Sequence, residues 1–293
     1  MSSVRLPMRR AAIAWLFLAP ALLIIAAFNL YPLAYAFVLS FQHYSISGTS
    51  WVGLENYRRV LADPIVHRAF ANTLEYTAVV VTGGIAISLS LALLLHGRSS
   101  AWQTTFKALY YLPAQIGAVV SAVIWVYIFA PVDGLLNHIL AALHLPQPLW
   151  LANSHTALPA IIATALIGGH GAAVILYLAA LSGIPQSYYE SARLDGVGAW
   201  TQFWRITFPL LRPTTVYVLI IGVIGSFQVF GSVYLMTQGG PQFSTDTVVY
   251  DIYDAFFKRG QVGSACAEAF LLGLIIVAVS LLQYRTLATD VEY

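Results

Sequence analysis

Residues 184–213, with the sequence IPQSYYESARLDGVGAWTQFWRITFPLLRP, form the longest polar interruption in an otherwise apolar chain. The stretch is too long for a simple turn and too polar at its centre to cross a lipid bilayer. Pro185 suits the first position of a helix, where its missing N–H costs nothing. Gly196 suits the end of that helix, because glycine adopts the left-handed backbone conformation without strain. The pattern predicts a helix over Gln186–Leu194 and then a tight turn.

A second short helix is predicted beyond Gly196. Its apolar residues recur at the spacing of one helical face and are Trp200, Phe203 and Trp204, whereas Gln202 points to the opposite, polar side. A helix of this kind lies at the membrane surface, where simple anchoring in lipid is favoured over specific recognition. Pro209 and Pro213 are expected to end the helix and to lead into the next membrane span.

The amino-acid composition indicates the class of protein to which the chain belongs. Of the 293 residues, 59% are hydrophobic and only 9% are charged, whereas a soluble domain carries about 25% charged residues. Runs of about 20 apolar residues are long enough to cross a membrane as helices. The single Cys266 excludes an internal disulfide, and no Cys or His cluster has the spacing of a metal site. We predict an all-α integral membrane protein that binds neither metal nor nucleic acid.

Six membrane spans are expected, at about residues 11–39, 72–96, 106–130, 157–181, 214–236 and 264–284. The chain is accordingly divided into three parts. These are 1–68 (N-terminal tail, first span and external loop), 69–287 (the membrane core with the loop 184–213) and 288–293 (a tail).

Three local features refine the spans. Asn72 or Thr73 is expected to cap the second span, since short polar side chains bond the free N–H groups of a helix start. The adjacent glycines Gly83 and Gly84 make this span pliable or admit a close neighbouring helix. Pro113 marks a kink near the start of the third span.

The distribution of Lys and Arg predicts the orientation. With the N-terminus inside, the inner segments hold nine of the 14 basic residues: Arg5, Arg9, Arg10, Arg98, Lys107, Arg193, Arg205, Arg212 and Arg285. The outer segments hold the remaining five: Arg58, Arg59, Arg68, Lys258 and Arg259. Basic residues accumulate on the cytoplasmic side of membrane proteins. Both termini and the loop 184–213 are therefore expected in the cytoplasm.

The loop carries a recognisable pattern. Glu190-Ser191-Ala192, Asp195-Gly196 and Ile206-Thr207-Phe208-Pro209 resemble the EAA loop of ABC importer permeases, with Ser191 and Phe208 as mild departures. Four further pieces are similar to the carbohydrate-uptake branch, the maltose and glycerol-3-phosphate type. They are Tyr31-Pro32, Asn72-Thr73-Leu74, Gly134-Leu135-Leu136-Asn137 and Gln238-Gly239-Gly240-Pro241. The resemblance extends from about Ala11 to Arg285.

The resemblance implies a subunit of a bacterial inner-membrane importer that performs no catalysis itself. The expected partners are a second, related permease subunit, two ABC ATPase subunits, an extracytoplasmic solute-binding protein and membrane lipid. The residues expected to dock the ATPase are Glu190, Ser191, Ala192, Asp195 and Gly196. The chain has no GxxxxGK[ST] sequence, so ATP and Mg²⁺ are expected on the partner ATPase and no cofactor on this chain.

A solute pathway is expected along the fifth span. By position relative to the EAA-like loop, Gly222, Gly225, Ser226 and Val229 match the sugar-lining face of maltose-type permeases, and Gln228 adds a polar group. Helix packing is the alternative role for the small residues. His170 in the fourth span faces either the pathway or a neighbouring helix.

The solute class stays open between a sugar, an oligosaccharide and a glycerol phosphodiester. A secondary transporter or channel for a small polar solute is the alternative function. It would need no ATPase, but the sequence has no obvious inverted repeat and no ionisable pair deep in two spans.

Overall fold

A computed structural model describes residues 8–45 and 48–287 of the chain, which are mostly helical. The predicted tail 288–293 and residues 1–7 of the N-terminal tail lie outside the described residues. The described chain forms two compact units. The first comprises the described residues up to Ala62 together with Asp254–Phe270, and the second comprises Asp63–Tyr253 together with the described residues from Leu271 onward.

The first unit contains a long apolar helix and a small hairpin. Its elements are α1 (Met8–Ile25), a π-helical segment (Ala26–Leu30), α2 (Tyr31–Leu39), β1 (Gln42–Ser45), β2 (Gly48–Trp51), α3 (Glu55–Ala62) and a second π-helical segment (Asp254–Lys258). The two strands are antiparallel, with Gln42 opposite Trp51. The buried Asn56 amide donates to the carbonyls of Ser40 and Gln42, both at 2.9 Å, and so fastens α3 to the hairpin.

The second unit holds most of the helices. They are α4 (Pro64–Leu95), α5 (Ser100–Gln115), α6 (Ala118–Ile128), α7 (Leu135–Ala142), α8 (Ala157–Gly168), α9 (Gly171–Ser182), α10 (Gln186–Leu194), α11 (Ala199–Gln202), a π-helical segment (Phe203–Thr207), α12 (Phe208–Leu210), α13 (Arg212–Phe227), α14 (Gly231–Met236) and α15 (Val248–Tyr253). The last helix, α16 (Val262–Leu287), begins in the first unit and ends in the second.

Four stretches of the described chain are long and apolar enough to cross a membrane: Trp15–Leu39, Pro64–Leu95, Arg212–Met236 and Val262–Leu287. They match the predicted first, second, fifth and sixth spans. Taken together, α8 and α9 are also long and apolar enough, but the pair is bent by 46° and is therefore either a broken span or a re-entrant loop. The predicted third span is not one helix: α5 ends at Gln115, and only the short apolar segment Val119–Ile128 lies beyond the break.

The breaks within the spans have local causes. Gly117 precedes α6 in an extended conformation, so the break falls beyond the predicted kink at Pro113, which lies within α5. In the fourth predicted span, helix is interrupted at Gly169 and His170, within the run Gly168-Gly169-His170-Gly171. Glycine favours such interruptions because it is a poor helix former. The structure therefore has two helices in each place where the sequence predicted one, over 106–130 and over 157–181.

The predicted cap of the second span is also wrong. Helix α4 begins at Pro64, and its N-cap is Asp63, whose side chain accepts a hydrogen bond from the Ile65 N–H at 2.8 Å. Proline fits the first helical position, so the Asp-Pro pair is a complete local start signal. Asn72 and Thr73 are instead buried in the body of the helix.

Of the two roles predicted for Gly83-Gly84, a pliable helix or a close neighbour, the structure shows the close neighbour. A Cβ on Gly83 would lie 2.9 Å from Leu166 Cδ2, and a Cβ on Gly84 would lie 2.6 Å from His170 Cε1. Only residues without a side chain allow α4 to approach α8 and the break before α9 this closely. The glycine pair thus positions the bent helix pair against α4.

Candidate functional site

Helix α10 is the most exposed helix of the predicted loop. None of its residues is buried, and Leu194, a large apolar side chain, is 90% exposed. The predicted ATPase-docking residues Glu190, Ser191, Asp195 and Gly196 are exposed, and Ala192 is half-buried. An exposed helix that carries an apolar side chain and a carboxylate is a suitable surface for a partner protein.

A hydrogen-bonded turn ends α10 as the sequence predicts. The Val197 N–H donates to the Ala192 carbonyl at 2.9 Å, and the Gly196 N–H donates to the Arg193 carbonyl at 3.0 Å. This pair of bonds is the Schellman motif, which requires the left-handed conformation at Gly196, where φ is +72°. No atom lies within 4 Å of the place a Cβ would occupy there, so backbone conformation alone favours glycine.

Two side chains hold the loop in shape. The Tyr189 hydroxyl and the Thr207 hydroxyl share a hydrogen bond of 3.0 Å, which ties α10 to the following π-helical segment. The Gln202 amide donates to the Val197 carbonyl at 2.7 Å and is 9% exposed. The prediction of an outward-facing Gln202 is therefore wrong, because the carbonyl freed by the turn recruits its amide.

The second part of the loop differs from the prediction in another respect. The chain stays helical through Pro209, passing from the π-helical segment Phe203–Thr207 into α12 and α13. Pro209 and Pro213 stand near the start of α12 and α13, where a missing N–H is tolerated. Trp200 and Trp204 are 73% and 49% exposed, as expected for an aromatic face at a membrane surface.

A residue at each end of the loop is buried in the same hydrophobic cluster. Ile184, before α10, and Leu211, after α12, are buried together with side chains of α4 and α9: Leu89, Ala92, Leu95, Val174, Tyr177, Leu178 and Leu181. The Tyr177 hydroxyl also donates to the Thr215 hydroxyl of α13 at 3.2 Å. Close-packed interiors transmit displacement because they compress little. The residues that flank α10 are thus in one packed cluster with α4 and α9, and a hydrogen bond joins that cluster to α13.

The predicted pathway residues do not share one environment. Gly225 and Gln228 are exposed, on the side of α13 that also carries the exposed Ile221. Ser226 is buried. Val229 packs partly buried against the cluster around Ile161.

Gly222 and His170 serve packing. A Cβ on Gly222 would lie 3.5 Å from the Val81 methyl groups of α4. The His170 ring lies over Gly84, and its buried Nε2 atom has no hydrogen-bond partner among the described residues. Of the two roles open to His170, contact with a neighbouring helix is the one observed.

One network of hydrogen bonds, made by the buried residues Asn72 and Thr73, was not predicted from the sequence. The Asn72 amide donates to the carbonyls of Phe243 and Asp246, at 2.9 and 2.8 Å, and the Thr73 hydroxyl accepts from the Val248 N–H at 3.0 Å. These bonds fix the segment that follows Gln238-Gly239-Gly240-Pro241 to α4. No local pattern signals this contact, although both segments were already singled out by their family resemblance.

These features define a multi-pass helical membrane protein with an exposed helical loop joined to its apolar core. The chain belongs to the family of binding-protein-dependent transport system inner membrane components, and the sequence model of that family matches residues 84–287. The recognition of an ABC importer permease is thereby confirmed. As a member of this family the chain is a translocation subunit of the inner membrane and not an enzyme.

Several relatives match nearly the whole chain. The arabinooligosaccharides transport system permease protein AraP of Bacillus subtilis is 32% identical, over 94% of this chain and 88% of the relative. The lactose transport system permease protein LacF of Rhizobium radiobacter is 32% identical, over 92% of both chains. The sn-glycerol-3-phosphate transport system permease protein UgpA of Agrobacterium fabrum is 29% identical, over 95% and 96%.

Solved structures show the same fold. A bacterial ABC transporter involved in the import of the acidic polysaccharide alginate matches with a TM-score of 0.85 and 23% identity, over 95% of this chain and 96% of that one. An alginate ABC transporter in complex with an alginate pentasaccharide-bound periplasmic protein matches with a TM-score of 0.83 and 23% identity, over 97% and 98%.

Proposed function

We propose that this chain is one permease subunit of an ATP-driven importer for a sugar or oligosaccharide. The observation that carries the proposal is the exposed helix α10, whose flanking residues Ile184 and Leu211 are buried in the bundle. Relatives named for arabinooligosaccharides and lactose, each 32% identical, support the carbohydrate class. The second solute class is a glycerol phosphodiester, which is chemically related to the phosphate monoester sn-glycerol-3-phosphate for which another relative is named.

The proposed arrangement has six spans, with both termini and the loop 184–213 in the cytoplasm. In it α5 and α6 together form the third span, broken at Gly117, and α8 and α9 form the bent fourth span. The excess of basic residues in the inner segments supports this orientation. The alternating access of such a bundle needs helices that tilt as units, and the breaks provide points where they bend.

The proposed partner at α10 is an ABC ATPase subunit, which carries the ATP and Mg²⁺. Glu190 offers a carboxylate for a charge-assisted bond with a partner Arg, and the small Ser191 and Ala192 allow a close backbone approach. The second ATPase engages a second, related permease subunit in the same way. A binding protein delivers the solute from outside, and the periplasmic protein seen with the alginate transporter supports this.

In the proposed cycle, closure of the ATPases moves α10. The motion passes through the cluster of Ile184, Leu211 and Tyr177 to α9, α4 and α13. The proposed pathway follows the exposed side of α13 at Gly225 and Gln228. This side is supported from within the bundle by Gly222, Ser226 and Val229. The distance between α4 and the bent pair of α8 and α9 is set by His170.

Copurification and uptake test the proposal together. The intact transporter, with the ATPase and second permease coexpressed, should retain the ATPase and take up solute only with ATP. Glu190→Arg should lower the retained ATPase by at least about tenfold, because reversing a charge in a buried interface costs several kcal/mol. Asp133→Arg, a charge reversal on an exposed loop predicted to lie outside, is the matched control and should retain it. Uptake that persists without ATP would instead favour a secondary transporter or channel.

A further inference from the structure

The loop between the third and fourth predicted spans is uncharged over nearly its whole length. Between residues 134 and 189 the sequence has no Asp, Glu, Lys or Arg. This stretch includes residues 134–156, which are predicted to lie outside the membrane. A soluble domain carries about 25% charged residues, because charged side chains suit a surface that faces water. The composition of the loop therefore resembles that of the neighbouring spans and not that of a water-exposed segment.

Helix α7 within this loop exposes its apolar side chains. Leu135 is 60% exposed, Ile139 is 48% exposed, and Leu143, directly after the helix, is 62% exposed. The three positions are four residues apart and lie on one side of the helix. His138 is the one exposed polar side chain within Leu135–Ala142. A helix on a water-soluble surface has the opposite pattern, with polar residues on its outer side.

The polar Asn137 of the same helix points inward and is 2% exposed. Its amide donates to the Pro131 carbonyl at 3.0 Å, and its Oδ1 atom accepts from the Trp150 Nε1–H at 2.8 Å. Leu136 packs against the hydrophobic cluster around Ile161. All of these residues belong to the second unit. The contacts fix the rotation of α7, so its exposed apolar side cannot turn inward without breaking them.

The exposed apolar surface continues along the chain from the third predicted span into α7. On α6, Val120, Ile124 and Tyr127 recur on one side of the helix and are 55%, 46% and 73% exposed. Val132, in the short connection between the two helices, is 80% exposed, and α6 and α7 are in contact. Lipid tails are as apolar as leucine and cover such side chains at no cost. Helix α7 thus extends a surface of the kind that lipid covers.

Lipid fits this side of α7 better than a protein partner does. A protein–protein interface surrounds its apolar centre with a polar rim and has about one hydrogen bond per 100–200 Å². The exposed side of α7 offers His138 alone for such bonds, and the nearest charged residue, Asp133, precedes the helix. Acyl chains need no polar group. Trp150, whose N–H is satisfied by Asn137, is a residue type enriched at the boundary between lipid and water.

We propose that α7 is immersed in the membrane, with Leu135, Ile139 and Leu143 in contact with lipid acyl chains. The helix lies in the leaflet on the side of residues 131–156, which is the outer leaflet in the proposed orientation. This loop is then part of the lipid-covered wall of the protein and does not project into water. The inference goes beyond the proposed function, because it requires only that the chain spans a membrane.

Spin labelling of the complete transporter, in nanodiscs of an unsaturated phosphatidylcholine, tests the inference. Cys266→Ala removes the one native thiol of this chain, the partner subunits are used without cysteines, and a nitroxide is attached to a single cysteine at position 139, 124 or 58. Ile139 and Ile124 are matched in exposure, at 48% and 46%, and Ile124 represents the apolar side of the span. Arg58, which is exposed and charged, is the reference for water.

The measured quantity is the ratio of two collision rates of the nitroxide, with oxygen, which concentrates in lipid, and with a water-soluble nickel chelate. The ratio at position 139 should be several times that at position 58 and close to that at position 124. A ratio equal to that at position 58 would show that α7 projects into water. Low collision rates with both reagents would show that protein covers α7. Either result would overturn the inference but leave the proposed function intact, because the measurement uses neither solute nor ATP.

Chemical labelling of spheroplasts gives a second readout in the native assembly. A membrane-impermeant maleimide added from outside should label a cysteine at position 58 several times faster than one at position 139. Both variants should coelute with the other subunits on size-exclusion chromatography, which shows that they are assembled. Equal labelling rates would contradict the immersion of α7. If position 58 is labelled only after the membrane is permeabilised, the proposed orientation fails instead, which separates the two cases.

Discussion

The contact between Gly84 and His170 leads to a sharp prediction for Gly84→Ala. The new Cβ would meet His170 Cε1 at 2.6 Å and Nδ1 at 2.9 Å, distances that force the ring or the helices to move. Overpacking of this kind costs roughly 1–3 kcal/mol. Replacing glycine by alanine within a helix returns about 0.5–1 kcal/mol. The net expectation is a destabilisation centred on about 1 kcal/mol, within a range of about 0–2.5 kcal/mol.

The assay is the apparent midpoint of thermal unfolding of the purified transporter, measured at one scan rate for all variants. A change of 1 kcal/mol moves the midpoint by about 2–4 °C for a chain of this size class. Gly84→Ala should lower the midpoint by a few degrees. Gly225→Ala is the matched control in another span: no atom lies within 4 Å of its new Cβ, so its midpoint should stay level or rise.

The double variant Gly84→Ala/His170→Ala separates the clash from other effects. The three atoms nearest to the added methyl group all belong to the His170 ring, so the penalty of Gly84→Ala should vanish in the His170→Ala background. The coupling energy should be about 1–3 kcal/mol. If Gly84→Ala behaves like Gly225→Ala, or if its penalty survives the loss of the ring, the close packing of α4 against the helix break is refuted.

Three further predictions concern the loop, the buried network and the pathway. Gly196→Ala should strain the end of α10 by about 1–2 kcal/mol and slow ATP-driven uptake. Gly198→Ala should do neither, because φ is −70° at that position. Equal uptake rates for the two variants would contradict this prediction. Asn72→Ala removes the donor to the Phe243 carbonyl and to the buried Asp246 carbonyl and should lower the unfolding midpoint by several degrees; an unchanged midpoint would show that these bonds contribute little. Gly225→Trp should block uptake but leave the assembly intact on size-exclusion chromatography, whereas the buried Ser226→Trp should disrupt assembly; normal uptake by Gly225→Trp would remove that side of α13 from the pathway.

Local signals were sufficient for the first half of the loop. Pro185 and Gly196 bracket α10, and the structure has the helix between them and the left-handed glycine after it. Both signals act through the backbone of the residue itself, by a fixed φ or by freedom to adopt a positive φ. Such effects need no knowledge of the rest of the fold, which is why the sequence predicts them.

The errors arise where distant residues compete with local signals. Asn72 and Thr73 have the composition of a helix cap, but their partners stand more than 170 positions away in sequence. Gln202 fits a polar helix face, but a carbonyl released by the preceding turn draws its amide inward. Neither partner can be identified from spacing along the chain.

The pathway residues show the same limit. Ser226 is buried and Gly225 is exposed, and the helices that pack on α13, which are α4 and α9, cannot be identified from the sequence of α13 itself. The bend of the fourth span has a local cause in its glycines, Gly168, Gly169 and Gly171. The contact of its His170 with Gly84 depends on how two helices meet, and no single segment encodes that.

The most direct measurement of the central claim is crosslinking from Leu194, the most exposed large apolar side chain of α10. A photoreactive amino acid at this position, in membranes with the complete transporter, should yield an adduct with the ATPase subunit. The yield should change when ATP is added, because α10 is proposed to move with ATPase closure. An adduct with the binding protein, or labelling of position 194 by a membrane-impermeant reagent from outside the cell, would contradict the account.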